Sequence, residues 1–181
     1  NVYGNISEGE IDENTRAQPE SDYAVSKYAM ELMASLWQKR LPISMVRPFN
    51  YTGVGQNKMF LIPKVISHFK HRKDTIELGN QDILREFNDV RFVADAYAKL
   101  IQSPPFLKHP INICSGKAYS LQQVLSLCEK ISEHKITVKV NPKFVRKNEV
   151  RILKGNSSLL KSLVKELYSY DLTQTLKWMM L

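Results

Sequence analysis

The sequence predicts an α/β protein built on a parallel sheet, and three observations predict it. The tail of a strand, a helix and a second strand follow one another within the first 50 residues, the succession that generates parallel pairing. The second strand, Ile43 to Val46, is a short and almost continuously apolar run with prolines on either side, as suits a strand buried on both faces. Beyond it, short apolar runs keep alternating with segments of helical periodicity, and there is no internal repeat, low-complexity tract or clean linker.

The elements follow in chain order. Asn1 to Gly4 reads as the end of a strand that began earlier, and Asn5 to Ser21 as a polar loop. Ser21 or Asp22 caps a helix running to about Arg40, whose apolar positions Ala24, Tyr28, Met30, Leu32, Met33, Leu36 and Trp37 recur mainly at helical spacing. Leu41-Pro42 stops it. After a loop from Asn50 to Lys58, Met59 to Phe69 reads as a helix, with Pro63 acceptable only in its first turn. Thr75 to Leu78 and Leu84 to Phe87 are strands about a Gly79-Asn80 turn, the pattern of a hairpin with a longer loop. A helix from Asp89 to Ile101 ends at Pro104-Pro105, and Ile111 to Cys114 is a strand. Ser120 caps a helix to about Ser132, Ile136 to Val140 is a strand, and helical runs at Ser157 to Leu167 and Leu172 to Met180 close the chain. Tyr28, Trp37, Tyr97 and the apolar helix faces are expected in the core.

Composition bounds the class. A chain of 181 residues can bury one sizeable core, and its apolar and charged content is that of a globular protein. Cys114 and Cys128 fall in a strand-like run and on the apolar side of a helix, where small thiols are commonly buried, so neither a disulfide framework nor a metal site is expected. His68, His71, His109 and His134 lack metal-ligand spacing on one face and read as surface or helix-end residues. No run approaches the twenty apolar residues a bilayer requires, and the N-terminus lacks the basic and apolar regions of a signal peptide. A soluble protein of the reducing cytoplasm, without a membrane partner, is the expectation. The net charge of +8 raises nucleic acid, but the basic residues are dispersed and no reader motif accompanies them, so no nucleic-acid partner is expected; an acidic small ligand accounts for basic residues in a cleft equally well.

Tyr23 and Lys27 stand four apart at the start of the first helix, about one turn, so phenol and ammonium share a face. A phenol is a protonated acid at neutral pH, and a nearby ammonium stabilises its phenolate, as suits a group that hands a proton to a developing alkoxide. Spacing by itself leaves a packed Tyr and a solvated Lys as the alternative. No three of the seven glycines form the Gly-x-x-Gly-x-x-Gly or Gly-x-Gly-x-x-Gly turn that cradles a dinucleotide pyrophosphate.

Several blocks in order, Val2-Tyr3-Gly4, Tyr23-Ala24-Val25-Ser26-Lys27, Arg47 to Gln56, Gly79 to Arg91, Asn112 to Gly116 and Arg146 to Val150, together resemble the extended short-chain dehydrogenase/reductase (NAD-dependent epimerase/dehydratase) family. Within it the chain is most similar to the reductases and dehydrogenases of GDP-linked 4-keto-6-deoxy sugars. The resemblance covers nearly the whole chain but only the C-terminal part of the family's fold, whose glycine-rich N-terminal half is longer by about a domain. It implies the C-terminal remainder of a Rossmann-type parallel sheet plus a smaller mixed α/β substrate-binding domain. Residues 1–53 would belong to the former, with the helix of 89–101 and the strand of 111–114 returning to it, and 54–181 mainly to the latter.

The resemblance also assigns roles. Tyr23 would donate the proton to the keto oxygen at C4, and Lys27 would hold the nicotinamide ribose and tune Tyr23. Both would then be cofactor-binding as well as catalytic, with the backbone of Arg47, Pro48 and Phe49 lining the nicotinamide pocket at the carboxyl end of a parallel strand. Asn50 would donate to the sugar or its diphosphate, Arg85 would pair with the diphosphate, Arg146 would meet phosphate and Glu149 would accept from ribose hydroxyls. The cofactor implied is NAD or NADP, the substrate a GDP-hexose, and the assembly a homo-oligomer or a chain completed by a missing N-terminal segment. The family's catalytic Ser or Thr falls just before Asn1. The implied activity is NAD(P)-dependent 4-reduction, or the reverse oxidation, with the isolated chain inactive; a non-catalytic nucleotide-sugar module or a related epimerase or dehydratase stands as the alternative. An isolated remainder of such a sheet is expected to show an exposed edge.

Overall fold

The computed structural model describes residues 2–4, 9–102, 107–145 and 151–181. Its ten strands are β1 (Gly9–Ile11), β2 (Val46–Pro48), β3 (Tyr51–Thr52), β4 (Thr75–Leu78), β5 (Leu84–Glu86), β6 (Asn88–Asp89), β7 (Ile111–Ile113), β8 (Ala118–Ser120), β9 (Thr137–Val140) and β10 (Ile152–Gly155). Its six helices are α1 (Asp22–Trp37), α2 (Leu61–Lys70), α3 (Val90–Gln102), α4 (Leu121–Ser132), α5 (Ser158–Leu163) and α6 (Leu172–Met180).

The mixed α/β class is as expected, and the strands pair in parallel throughout except β5 with β8. The largest sheet has the order β1-β10-β5-β8, and three two-stranded ladders join β2 to β7, β3 to β6 and β4 to β9. Among the described residues β2 has one ladder neighbour, so its other edge is unpaired, an exposed edge of the kind expected.

Local chemistry explains the helices that the sequence located well. Ser21 Oγ accepts the Ala24 amide at 3.2 Å and starts α1. Ser120 and Gln123 form a reciprocal capping box on α4, and Asp171 and Gln174 do the same on α6. Pro63 sits in the first turn of α2, where its missing N–H leaves no broken bond.

Six expectations need correction. Val2 and Tyr3 form a turn rather than the end of a strand, and the helix read at Ser157 to Leu167 is Ser158–Leu163, since Val164 is extended and its amide donates to the Leu160 carbonyl. The strand read at Ile43 to Val46 is Val46–Pro48, because the ladder can extend only as far as its three-residue partner; the Ile43 carbonyl is instead taken by Gln38 Nε2 at 2.9 Å. Thr75–Leu78 and Leu84–Glu86 are not a hairpin: β4 runs parallel to β9 and β5 enters the largest sheet between β10 and β8. Gly79 carries the chain across between them, pressed so closely against the Phe144 carbonyl that a Cβ would not fit. The polar stretch Asn5 to Ser21 conceals β1, which pairs with β10 in the register Glu10 opposite Lys154 and has no apolar run to announce it. Finally, Trp37 and Tyr97 are not core: they are 50% and 37% exposed.

Two main apolar clusters organise the rest. One joins α2, α4 and α6 to β4, with Phe69, Val65, Val124, Cys128 and Leu176 at its centre. The other joins α3 and α5 to β7 through Phe92, Ala96, Ile113 and Leu160. A third, smaller cluster of Val2, Tyr3, Ile11, Phe49 and Cys114 lies under the carboxyl end of β2, with Tyr28 of α1 packed against it. By contrast the rest of α1 is sparsely covered: only Ala24 is fully buried, while Met30, Leu32, Met33, Leu36 and Trp37 are all at least half exposed.

Candidate active site

A groove of about 590 Å³ runs between α1 and β2, and its wall brings together most of the residues singled out in the sequence. Tyr23 and Lys27 line it from the helix, and Arg47, Pro48, Phe49 and Asn50 line it from the strand and its carboxyl end. The one-turn spacing has its predicted consequence, since Lys27 Nζ lies 5.5 Å from the centroid of the Tyr23 ring. Tyr23 is 66% exposed.

The floor of the groove is rigidly built. Phe49 is 8% exposed, and its amide donates to the Ile113 carbonyl at 3.0 Å, which carries the β2 ladder past Pro48. The Asn50 carbonyl accepts twice from Asn88, from the amide at 2.9 Å and from Nδ2 at 3.2 Å. The Asn50 side chain is left facing outward at an exposed position, without a hydrogen bond among the described residues.

Arg47 occupies a different role from its backbone. Its guanidinium forms a fork on Glu31 of α1, with Nη2 to Oε2 at 2.6 Å and Nε to Oε1 at 3.0 Å, and stacks 4.7 Å from the Tyr3 ring centroid. Burial opposes the charged form, but the Glu31 and Tyr3 contacts outweigh it and hold Arg47 above its ordinary value. Burial likewise pushes Tyr3 up; its hydroxyl donates to Asn112 Oδ1 at 2.6 Å, tying the groove to β7.

Beneath the floor sits Glu86, which is fully buried and which residue patterns alone did not mark. It accepts from the Gly155 amide at 2.6 Å, the Ser115 amide at 2.9 Å, Asn88 Nδ2 at 3.1 Å and the Ser115 hydroxyl at 3.2 Å. Burial pushes its carboxyl above the ordinary glutamate range, and these four donors oppose that shift. One carboxylate thus joins β5, β10 and the turn after β7. In the sequence it is simply the acidic residue of a short strand, between Arg85 and Phe87.

Of the remaining predicted residues, Arg85 lies on β5 outside the groove wall, with Nη1 donating to the Leu84 carbonyl at 2.8 Å. Its cross-strand neighbour Leu153 does line the groove. Arg146 and Glu149 lie outside the described residues. Among the described residues no group of three His, Cys, Asp or Glu side chains could hold a metal, and no helix is long and apolar enough to cross a membrane. Burial raises both thiols, Cys128 to about 12, which disfavours the thiolate form.

A family profile described as GDP-mannose 4,6-dehydratase matches residues 1–179. The GDP-6-deoxy-D-talose 4-dehydrogenase of Aggregatibacter actinomycetemcomitans is 36% identical over 169 residues, covering 93% of this chain and 57% of that protein. The GDP-6-deoxy-D-mannose reductase of Pseudomonas aeruginosa is 29% identical over 168 residues, covering 88% and 55%. Among solved structures, a candidate epimerase from Burkholderia cenocepacia superposes with a TM-score of 0.96 at 47% identity, over 99% of this chain and 59% of that one. A structure of RMD from Pseudomonas aeruginosa complexed with NADPH superposes with a TM-score of 0.90 at 26% identity, over 99% and 62%. The chain therefore spans a little over half the length of these two curated relatives.

Proposed function

The chain belongs to the GDP-mannose 4,6-dehydratase family, and from that premise we propose that it carries the proton-transfer pair and the sugar-nucleotide half of an NAD(P)-dependent oxidoreductase. The reaction is the reduction, or reverse oxidation, at C4 of a GDP-linked 6-deoxy-hexose. The observation that carries this reading is that Tyr23, Lys27 and the Arg47–Asn50 segment line one groove at the carboxyl end of a parallel strand, where open α/β sheets bind ligands. Two relatives whose names specify GDP-6-deoxy sugars support the substrate class.

The groove suits the nicotinamide end of a dinucleotide: it offers a hydroxyl, an ammonium and an unobstructed strand end, in a volume that can enclose a ring and its ribose. A nicotinamide bound there supplies the hydride that C4 gains or loses. The chain's own groups manage the proton. In the reducing direction Tyr23 gives its hydroxyl proton to the oxygen at C4 as that carbon becomes tetrahedral, and the Lys27 ammonium compensates the phenolate left behind. Asn50 donates its outward amide to the sugar or diphosphate, Arg85 pairs with phosphate oxygens, and Arg146 and Glu149 meet phosphate and ribose hydroxyls. None of the glycines forms a pyrophosphate cradle, so the isolated 181 residues bind dinucleotide weakly and are inactive alone. The half-exposed apolar residues of α1 fit a helix covered by further chain or by a second subunit in the working assembly.

The protein from the complete reading frame is assayed for consumption of reduced nicotinamide cofactor with a GDP-4-keto-6-deoxyhexose. Tyr23→Phe and Lys27→Met are each expected to lower kcat by about a hundredfold or more, with the fold retained by circular dichroism. Wild-type-like turnover of Tyr23→Phe would sink the reading. The 47% identity to a candidate epimerase supports a C4 epimerase as a second reading. Product analysis separates the two, since an epimerase returns cofactor unchanged and a reductase consumes it.

A further inference from the structure

Tyr23, Lys27 and Glu31 recur at four-residue intervals and all line the same groove. Glu31 is therefore one helical turn from Lys27, within reach of an ion pair that would turn the ammonium away from Tyr23. That pair is not formed. Among the described residues Lys27 has no carboxylate partner within 4 Å, and its Nζ faces the Tyr23 ring. Both Glu31 oxygens are instead taken by Arg47, from Nε and Nη2, with the two side chains only 13% and 10% exposed. Arg47 in turn lies over the Tyr3 ring, its Cζ 4.7 Å from the centroid.

We infer that Arg47 is a positioning residue whose function is to sequester Glu31, so that the Lys27 ammonium remains available to Tyr23. The inference rests on the proposed role of the Tyr23–Lys27 pair. The titratable groups facing the groove are Tyr3 from the N-terminal segment, Tyr23, Lys27 and Glu31 from α1, Arg47 from β2 and Tyr97 from α3. Among the described residues Glu31 is thus the one carboxylate on the wall, and Lys27 the one cation left if Arg47 is removed. A largely buried carboxylate deprived of its guanidinium turns to the nearest remaining cation, one turn away on its own helix.

The test reads Lys27 directly, in the 181-residue chain and without turnover. The rate of Lys27 acetylation by limiting N-hydroxysuccinimide acetate is followed by peptide mass spectrometry in wild type, Arg47→Met, Glu31→Gln and the double variant. Arg47→Met is expected to slow Lys27 acetylation about two- to fivefold, because an ion-paired ammonium yields less free amine. Glu31→Gln leaves the rate at the wild-type value, and adding Glu31→Gln to Arg47→Met restores it. If Arg47→Met does not fold by circular dichroism, Arg47→Gln, which keeps a polar side chain without the charge, carries the same expectations. An unchanged rate in the Arg47 variant, or a double variant as slow as Arg47→Met, overturns the inference. In the complete protein the same rescue appears in kcat and in the pH profile, a pattern that loss of packing alone would not give. An inactive complete protein would count against the oxidoreductase reading while leaving the acetylation result intact.

Discussion

Replacing Glu86 by Gln keeps the volume of the side chain and changes only its charge and one of its acceptors. In the wild type Oε1 has one donor, the Gly155 amide at 2.6 Å, and Oε2 has three, from Ser115 and Asn88. The least costly orientation of a glutamine places its NH₂ towards Gly155, setting donor against donor there and keeping the other three bonds as neutral ones. Orphaning a buried donor costs about 1–3 kcal/mol, and hydrogen bonds to a charged group are stronger than neutral ones. The total is about 3 kcal/mol, which for a chain of this size lowers Tm by about 6–12 °C. Urea denaturation followed by circular dichroism measures it, and Glu86→Ala should cost more because all four donors lose their partner. A Glu86→Gln midpoint within about 0.5 kcal/mol of wild type would refute the idea that this carboxylate ties β5 to β10.

Two further outcomes test other parts of the fold. Burial opposes ionisation of Asp89, but hydrogen bonds from the Arg91 side chain and amide and the Thr175 hydroxyl outweigh it, and its carboxyl is held below the usual range. A depressed carboxyl stabilises the fold above its unfolded pKa of about 3.9 and loses that contribution as pH falls through the folded value; Asp89→Asn should therefore be less stable at neutral pH and show a flatter acid limb, and parallel curves would contradict this. Gly155→Ala would set a Cβ 2.6 Å from Cys114 Sγ and 2.9 Å from Phe49 Cζ, so about 1–3 kcal/mol of overpacking is expected in thermal melts, with a matching loss of order around Phe49 in amide exchange.

The amino-acid sequence by itself determined whatever short-range chemistry controls. Ser120 with Gln123 and Asp171 with Gln174 fix helix starts within four residues of chain, and α4 and α6 begin and end where periodicity and caps place them. The four-residue interval between Tyr23 and Lys27 put both on one side of α1, and the run from Arg47 to Asn50 marked the strand end opposite them. Pairing partners were not legible, because partners distant in sequence leave no local trace. The polar Gly9–Ile11 segment became a strand only because β10 lies beside it, and β4 found β9 rather than β5 across the crossing at Gly79. The same limit applies to buried charge. Glu86 reads as one acidic residue in a strand and Glu31 as one on an exposed helix until Gly155, Ser115 and Asn88 surround the first and Arg47 folds onto the second. A carboxylate's cost or value is set by the donors that tertiary structure brings to it, and those come from 29 to 69 residues away for Glu86 and 16 for Glu31, apart from the neighbouring Asn88.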